Sequence, residues 1–145
     1  MVKPALKRLG FSPSGKCILD IGCGVGRLFP GFAELFGEIW GIDVSPEMIA
    51  QGRKLCPVSQ GRLLLGSGGD LKGIEGSSVD YCFSYIVFQH FPNAGILWRY
   101  LDEVHMVLKP GGAVQLHFRS SEPLSLKKRV ERILPASLRP VAGAC

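Results

Sequence analysis

Three aspartates at the ends of apolar runs, and a set of alternating glycines, are the residues of this chain best suited to chemistry. Asp20 lies in Cys17-Ile18-Leu19-Asp20-Ile21, and Gly22, Gly24 and Gly26 follow it at alternate positions, with Cys23 and Val25 between them. A turn of glycines takes backbone angles closed to other residues and lets a ligand lie against the main chain. The spacing narrows the ligand. A dinucleotide turn, Gly-x-Gly-x-x-Gly, wants glycine at position 27, which is Arg27, and here the third glycine comes one residue early. A carboxylate two residues ahead of the first glycine suits a cationic or amine-bearing ligand and would repel a pyrophosphate. Asp43 ends Ile39-Trp40-Gly41-Ile42-Asp43 and is placed to accept both hydroxyls of a ribose. Its alternative role is to open the turn at Ser45-Pro46. Asp70, in Gly66-Ser67-Gly68-Gly69-Asp70-Leu71, could meet the amine edge of an adenine, or be a solvated loop acid.

His90 is the candidate for proton transfer. It follows the fourth apolar run in Ile86-Val87-Phe88-Gln89-His90-Phe91-Pro92-Asn93, where an imidazole could take a proton from an acceptor. The competing role is a structural histidine that hydrogen-bonds its own loop. Phe88, Gln89 and Phe91 could shape an acceptor pocket beside it. His105 falls in a helical pattern and His117 within a strand-like one, and neither is assigned a catalytic role. No metal site is expected. The five cysteines are odd in number and scattered without a Cys-x-x-Cys pair, as for reduced thiols in a cytoplasmic protein.

The elements that must position these groups alternate along the chain. Apolar runs at 17–21, 39–42, 63–65, 79–86 and 113–118 predict buried strands, and helical patterns fall at 28–36, 46–55 and 96–108. Ser45 is set to cap the second helix, with Pro46 at its first position. In the third helix Leu97, Tyr100, Leu101, Val104, Val107 and Leu108 form one stripe, and Lys109-Pro110-Gly111-Gly112 stops it. Alternating strands and helices imply right-handed crossovers and a doubly wound α/β fold around a mainly parallel sheet of about five strands. The glycine turn then sits outside the carboxyl ends of the strands, where open sheets bind ligands.

Composition bounds the partners. With 145 residues, 46% hydrophobic and 20% charged, the chain is a single domain able to bury a core. No stretch approaches a membrane span, and the start lacks the apolar core of a signal peptide. The net charge of +5 belongs to the ends: residues 17–118 hold seven Lys/Arg against ten Asp/Glu. Nucleic acid is therefore not the expected partner, whereas a small molecule is. Residues 119–145 read as a basic tail with an amphipathic helix over 124–134, more suited to covering the sheet or serving as a linker than to binding a membrane or RNA.

Taken in order, these segments closely resemble class I S-adenosylmethionine-dependent methyltransferases. The resemblance covers residues 16–118. It includes Asp20–Gly26, Gly41-Ile42-Asp43-Val44-Ser45-Pro46-Glu47-Met48, Gly69-Asp70-Leu71, Ser78–Tyr85 and Leu108-Lys109-Pro110-Gly111-Gly112. It implies a Rossmann-like fold with S-adenosylmethionine as cofactor. Asp20, Gly22, Cys23 and Gly24 would hold its methionine portion and Asp43 its ribose. Val44 and Met48 would border the adenine, Asp70 and Leu71 meet its edge, and Ser84 and Tyr85 line the sulfonium end. The acceptor is expected to be a small or lipid-like molecule. The alternative is an incomplete cofactor-binding domain without catalysis of its own, needing a partner or a missing C-terminal segment; a nicotinamide-dependent dehydrogenase is disfavoured by Asp20 and Arg27.

The chain departs from that family at its end. Relatives continue past the fifth strand with a helix and two more strands, the last antiparallel, and no such strands follow Phe118. The expectation is first a fragment of a longer chain, and otherwise a partner covering an exposed fifth-strand edge or an abridged fold. Little sequence precedes the first strand, where relatives often carry a helix.

Overall fold

The computed structural model describes residues 2–55, 61–90 and 94–117. Each apolar run forms a strand: β1 (Cys17–Ile21), β2 (Glu38–Asp43), β3 (Gly61–Leu65), β4 (Val79–Tyr85) and β5 (Leu108–His117). They make one sheet in the order β3-β2-β1-β4-β5, with every neighbouring pair parallel. The order reverses between β1 and β4, so the segment after β1 leaves the sheet at its switch point.

Alternation along the strands feeds two cores. Leu19, Ile21, Ile42 and Cys82 face α4 (Ala94–Val107), whose Leu97, Tyr100, Leu101, Val104 and Val107 form the stripe expected from the sequence. Ile18, Ile39, Tyr81 and Phe83 face the other way, onto α1 (Val2–Leu9), α2 (Phe29–Ala33) and Ile49 of α3 (Pro46–Leu55). Phe32 meets Phe83 edge-on at 5.4 Å between ring centroids, a geometry worth about 0.5–1.5 kcal/mol beyond its buried area. Helices cover both faces, so the strand residues that pack against them are mostly apolar, Ile18, Leu19, Ile39, Ile42, Tyr81, Cys82 and Phe83 among them.

Several boundaries differ from expectation. The stretch ahead of β1 forms the helix α1, because Val2, Ala5 and Leu6 recur at helical spacing and are buried. Its basic last turn, Lys7 and Arg8, suits the negative end of the helix. The helix expected over 28–36 is only α2, after which Leu35 and Phe36 close a turn onto the Phe32 carbonyl. β4 ends at Tyr85 because Ile86 takes φ +63°, outside the extended region. β5 starts earlier than expected. Leu108 pairs with Val79 and Ala113 with Tyr81, so residues 109–112 bulge out of the ladder. The 124–134 helix, the rest of the tail and Phe91-Pro92-Asn93 lie outside the described residues.

At the amino end of the sheet, Asp80 ties three strands together. Its Oδ2 accepts the Cys17 N–H at 2.9 Å and the Lys109 Nζ at 2.8 Å. Burial raises the Asp80 pKa, but those two donors outweigh it and hold the carboxyl below its ordinary range.

Candidate functional site

The sequence between β1 and α2 winds back over the carboxyl end of β2. Gly22 and Cys23 donate their N–H groups to the Ile42 carbonyl at 2.8 and 3.2 Å, extending the β1–β2 ladder past the strand. Gly22, Gly24 and Gly26 all have positive φ, so this path is open to glycine and strained for other residues. Beneath it, Gly41 leaves room for its neighbours: a Cβ there would lie 2.6 Å from both Cys23 Sγ and Phe29 Cζ.

Asp43 joins the loop to the next helix. Its Oδ2 accepts the Gly24 N–H at 2.7 Å and its Oδ1 the Ser45 N–H at 2.9 Å. An ionised carboxylate has about four acceptor positions, so two such bonds leave capacity for a ligand's hydroxyls. Ser45 caps α3 as expected: its Oγ accepts the Met48 N–H at 3.2 Å, and Pro46 opens the helix. Beside Asp43, Val44 and Met48 expose apolar side chains, 60% and 42% accessible.

Asp20 lies under the loop on the Ile18 face, with only 3% of its surface exposed. Burial, and secondly the Asp43 carboxylate, push its pKa up to about 7. A carboxyl in that position favours a cationic neighbour.

The remaining sequence candidates occupy the next strand ends. Asp70 is in an exposed turn, where Ser67 Oγ donates to its Oδ1 at 2.7 Å and the Lys72 N–H at 3.3 Å. Those bonds, Ser67 first, hold its carboxyl below the ordinary range. Leu71 points the other way, its side chain in the α4 core and its N–H on Glu103 Oε2 at 3.2 Å. Ser84 is fully buried and donates to the Ile21 carbonyl at 3.0 Å, clasping β4 to β1. Tyr85 is exposed and stacks on His117. His90 is exposed on the 3-10 turn Phe88–His90, whose Phe88 is buried against Tyr100. His105 is exposed on α4.

Asp20, Gly22, Cys23, Gly24 and Asp43 thus form one contiguous group, flanked by Val44 and Met48. Sequence reasoning did not single out Val87, Glu103 or the pairing of His117 with Tyr85. Val87 folds back over the loop so that a Cβ on Gly22 would strike its Cγ2. None of the three contacts has a local signal, since each joins residues far apart in the chain. Among the described residues no three His, Cys, Asp or Glu side chains group as a metal site. No helix among them is long and apolar enough to cross a membrane.

The profile of the methyltransferase domain family matches residues 19–116, from the middle of β1 to the end of the sheet. The chain belongs to the class I S-adenosylmethionine-dependent methyltransferases. An uncharacterized methyltransferase of Mycobacterium sp. strain JLS is 34% identical over 109 residues, 74% of this chain and 40% of that protein. Phosphoethanolamine N-methyltransferase 2 of Caenorhabditis elegans is 33% identical over 112 residues, 75% of this chain and 25% of that protein. Among solved structures, the methyltransferase in complex with the Haloferax volcanii Trm112 activator superposes with a TM-score of 0.66 at 28% identity. The match covers 79% of this chain and 50% of that one. The chain therefore spans less than half the length of these curated relatives.

Proposed function

We propose that this domain binds S-adenosylmethionine across the carboxyl ends of β1, β2 and β4, and that the protein transfers its methyl group to a small or lipid-like acceptor. The observation that carries the reading is the double use of Asp43. One carboxylate braces the glycine loop through Gly24, starts α3 through Ser45 and keeps acceptor capacity for a ribose diol. The donor set fits the cofactor. Buried Asp20 suits its ammonium, and the glycine-loop backbone around Gly22, Cys23 and Gly24 lets its methionine portion lie close. Exposed Val44 and Met48 suit an adenine face, Asp70 its amino edge with Leu71 anchoring that turn, and Tyr85 the sulfonium end. Ser84, fully buried and bonded to the Ile21 carbonyl, supports β4 there and does not reach a ligand.

When bound, the cofactor supplies a methyl group activated by a positive sulfur. The chain's own part is to bind, orient and exclude water. Fixing donor and acceptor in line supplies several kcal/mol, up to about 7–11 in the best intramolecular systems, so little acid–base help is required. The small-molecule reading is supported by residues 17–118, which carry seven Lys/Arg against ten Asp/Glu.

Calorimetric titration with S-adenosylhomocysteine tests the cofactor reading. Binding is expected for the parent chain. For Asp43→Ala, affinity should fall by about 10- to 100-fold, the equivalent of roughly 1.5–3 kcal/mol for a hydrogen bond to a charged group. Circular dichroism of the variant separates lost binding from lost folding. No binding at millimolar ligand, or unchanged affinity in a folded Asp43→Ala, would sink the assignment.

A further inference from the structure

His117 stands in a strand, which by pattern alone marks it as structural. The sheet register changes that reading. Ile21 pairs with Ser84 and Ser84 with Leu116, so the next rung, Tyr85 opposite His117, lies level with the first glycine of the loop. Asp20 pairs with Phe83 and Phe83 with Gln115, and two residues on along each strand are Tyr85 and His117. Side chains alternate, so Tyr85 and His117 project from the same face as Asp20, at the open end of the sheet. Their ring centroids are 4.6 Å apart with a 40° tilt, and both side chains are exposed. Beyond them the Ile86 N–H bonds the His117 carbonyl at 3.2 Å, and the positive φ of Ile86 turns the chain out of the ladder.

We propose that His117, held by its stack on Tyr85, is the catalytic residue that takes the proton of the methyl acceptor. The proposal rests on the cofactor reading above. A group carried on a strand is held more tightly than one on a loop. His90, by contrast, rides a short 3-10 turn anchored through Phe88 in the core of the opposite face. The Tyr85–His117 pair offers two ring faces and the polar edges of a phenol and an imidazole, with no fixed charge. It fits a small acceptor whose nucleophile is a protic oxygen or nitrogen. In the transfer, the acceptor's lone pair forms the new bond to the methyl carbon while the carbon–sulfur bond breaks and its electrons remain on sulfur. The acceptor's proton passes to the imidazole nitrogen of His117, leaving an imidazolium that solvent deprotonates. Tyr85 is a positioning residue for the ring.

The test needs no acceptor. An adenosine bearing an electrophilic aziridine at the 5′ position alkylates a nucleophile that sits where the acceptor would, and peptide mapping finds it. The full chain is first titrated with S-adenosylhomocysteine and then incubated with the aziridine. The expected label is on His117, absent in His117→Gln while S-adenosylhomocysteine still binds. Tyr85→Ala should slow labelling by on the order of tenfold or more through misplacement of the ring, and Tyr85→Phe, which keeps the stack, should restore it. Label on His90 or elsewhere, or no label in a chain that binds S-adenosylhomocysteine, overturns the proposal. Failure to bind S-adenosylhomocysteine is a separate result: it overturns the cofactor reading and this inference with it.

Discussion

Asp20 carries a carboxylate into a place where its ionised form is poorly solvated and faces a second carboxylate. Its pKa rises from 3.8 to about 7, so the folded domain binds a proton there more tightly than the unfolded chain does. The stability that this proton supplies is present at low pH and is lost as pH rises between those two values, flattening above about 7. A cationic ligand reverses the balance by favouring the ionised carboxylate. Binding of S-adenosylhomocysteine near pH 6 is therefore expected to release a proton, seen as a dependence of the calorimetric enthalpy on buffer ionisation heat. Asp20→Asn should abolish the release, flatten the pH dependence of the melting temperature and weaken binding by about tenfold or more. An unchanged proton release in Asp20→Asn would remove Asp20 from the ligand's ammonium. The position of Asp20 was legible in the sequence because acid, strand and glycines are adjacent. The cause of its raised pKa was not, since it comes from burial beneath the loop and from Asp43 on another strand.

The glycine loop depends on an element that sequence reasoning assigned to something else. The run from Val79 was expected to continue as strand through Ile86, but Ile86 is a β-branched residue at φ +63°, a conformation that costs about 1–3 kcal/mol. No sequence signal marks such a turn, because β-branching argues for extension. Its consequence is that Val87 lies over Gly22. Gly22→Ala should therefore lower stability by about 1–3 kcal/mol, from positive-φ strain together with collision with Val87. Adding Val87→Ala should recover part of the loss in thermal melting. A double variant no more stable than Gly22→Ala would show that the collision does not matter. At the same scale, α3 was readable in full: Ser45, Pro46 and the helical pattern to Leu55 are all local. Helix α1 was missed because its apolar face is only Val2, Ala5 and Leu6 among basic residues, and it is burial against the sheet that holds it.

Across the whole molecule, the candidate ligand-binding residues gather at the carboxyl ends of the strands while the amino ends are tied by charge. Asp80 is bonded to the Cys17 N–H and to Lys109, and its lowered pKa means that this contribution is present at neutral pH and lost as pH falls into the acid range. Asp80→Ala should cost about 1–3 kcal/mol in denaturant unfolding near neutrality and leave S-adenosylhomocysteine affinity as in the parent, because it removes nothing at the site. A large change in affinity would mean that the two ends of the sheet are coupled. The amino-acid sequence by itself determined the strand–helix alternation, the family and the donor-side candidates Asp20, Gly22, Gly24 and Asp43. These rest on spacing within short segments, where backbone geometry and hydrophobic period act locally. Only the tertiary structure decided that Leu71 is core while Asp70 faces solvent, that Val87 covers Gly22, and that His117 stands beside Tyr85 on the Asp20 face. Those depend on parallel register between distant strands, which is set by which faces pack against which helices, and a sequence pattern carries that information only as a sum over the whole chain.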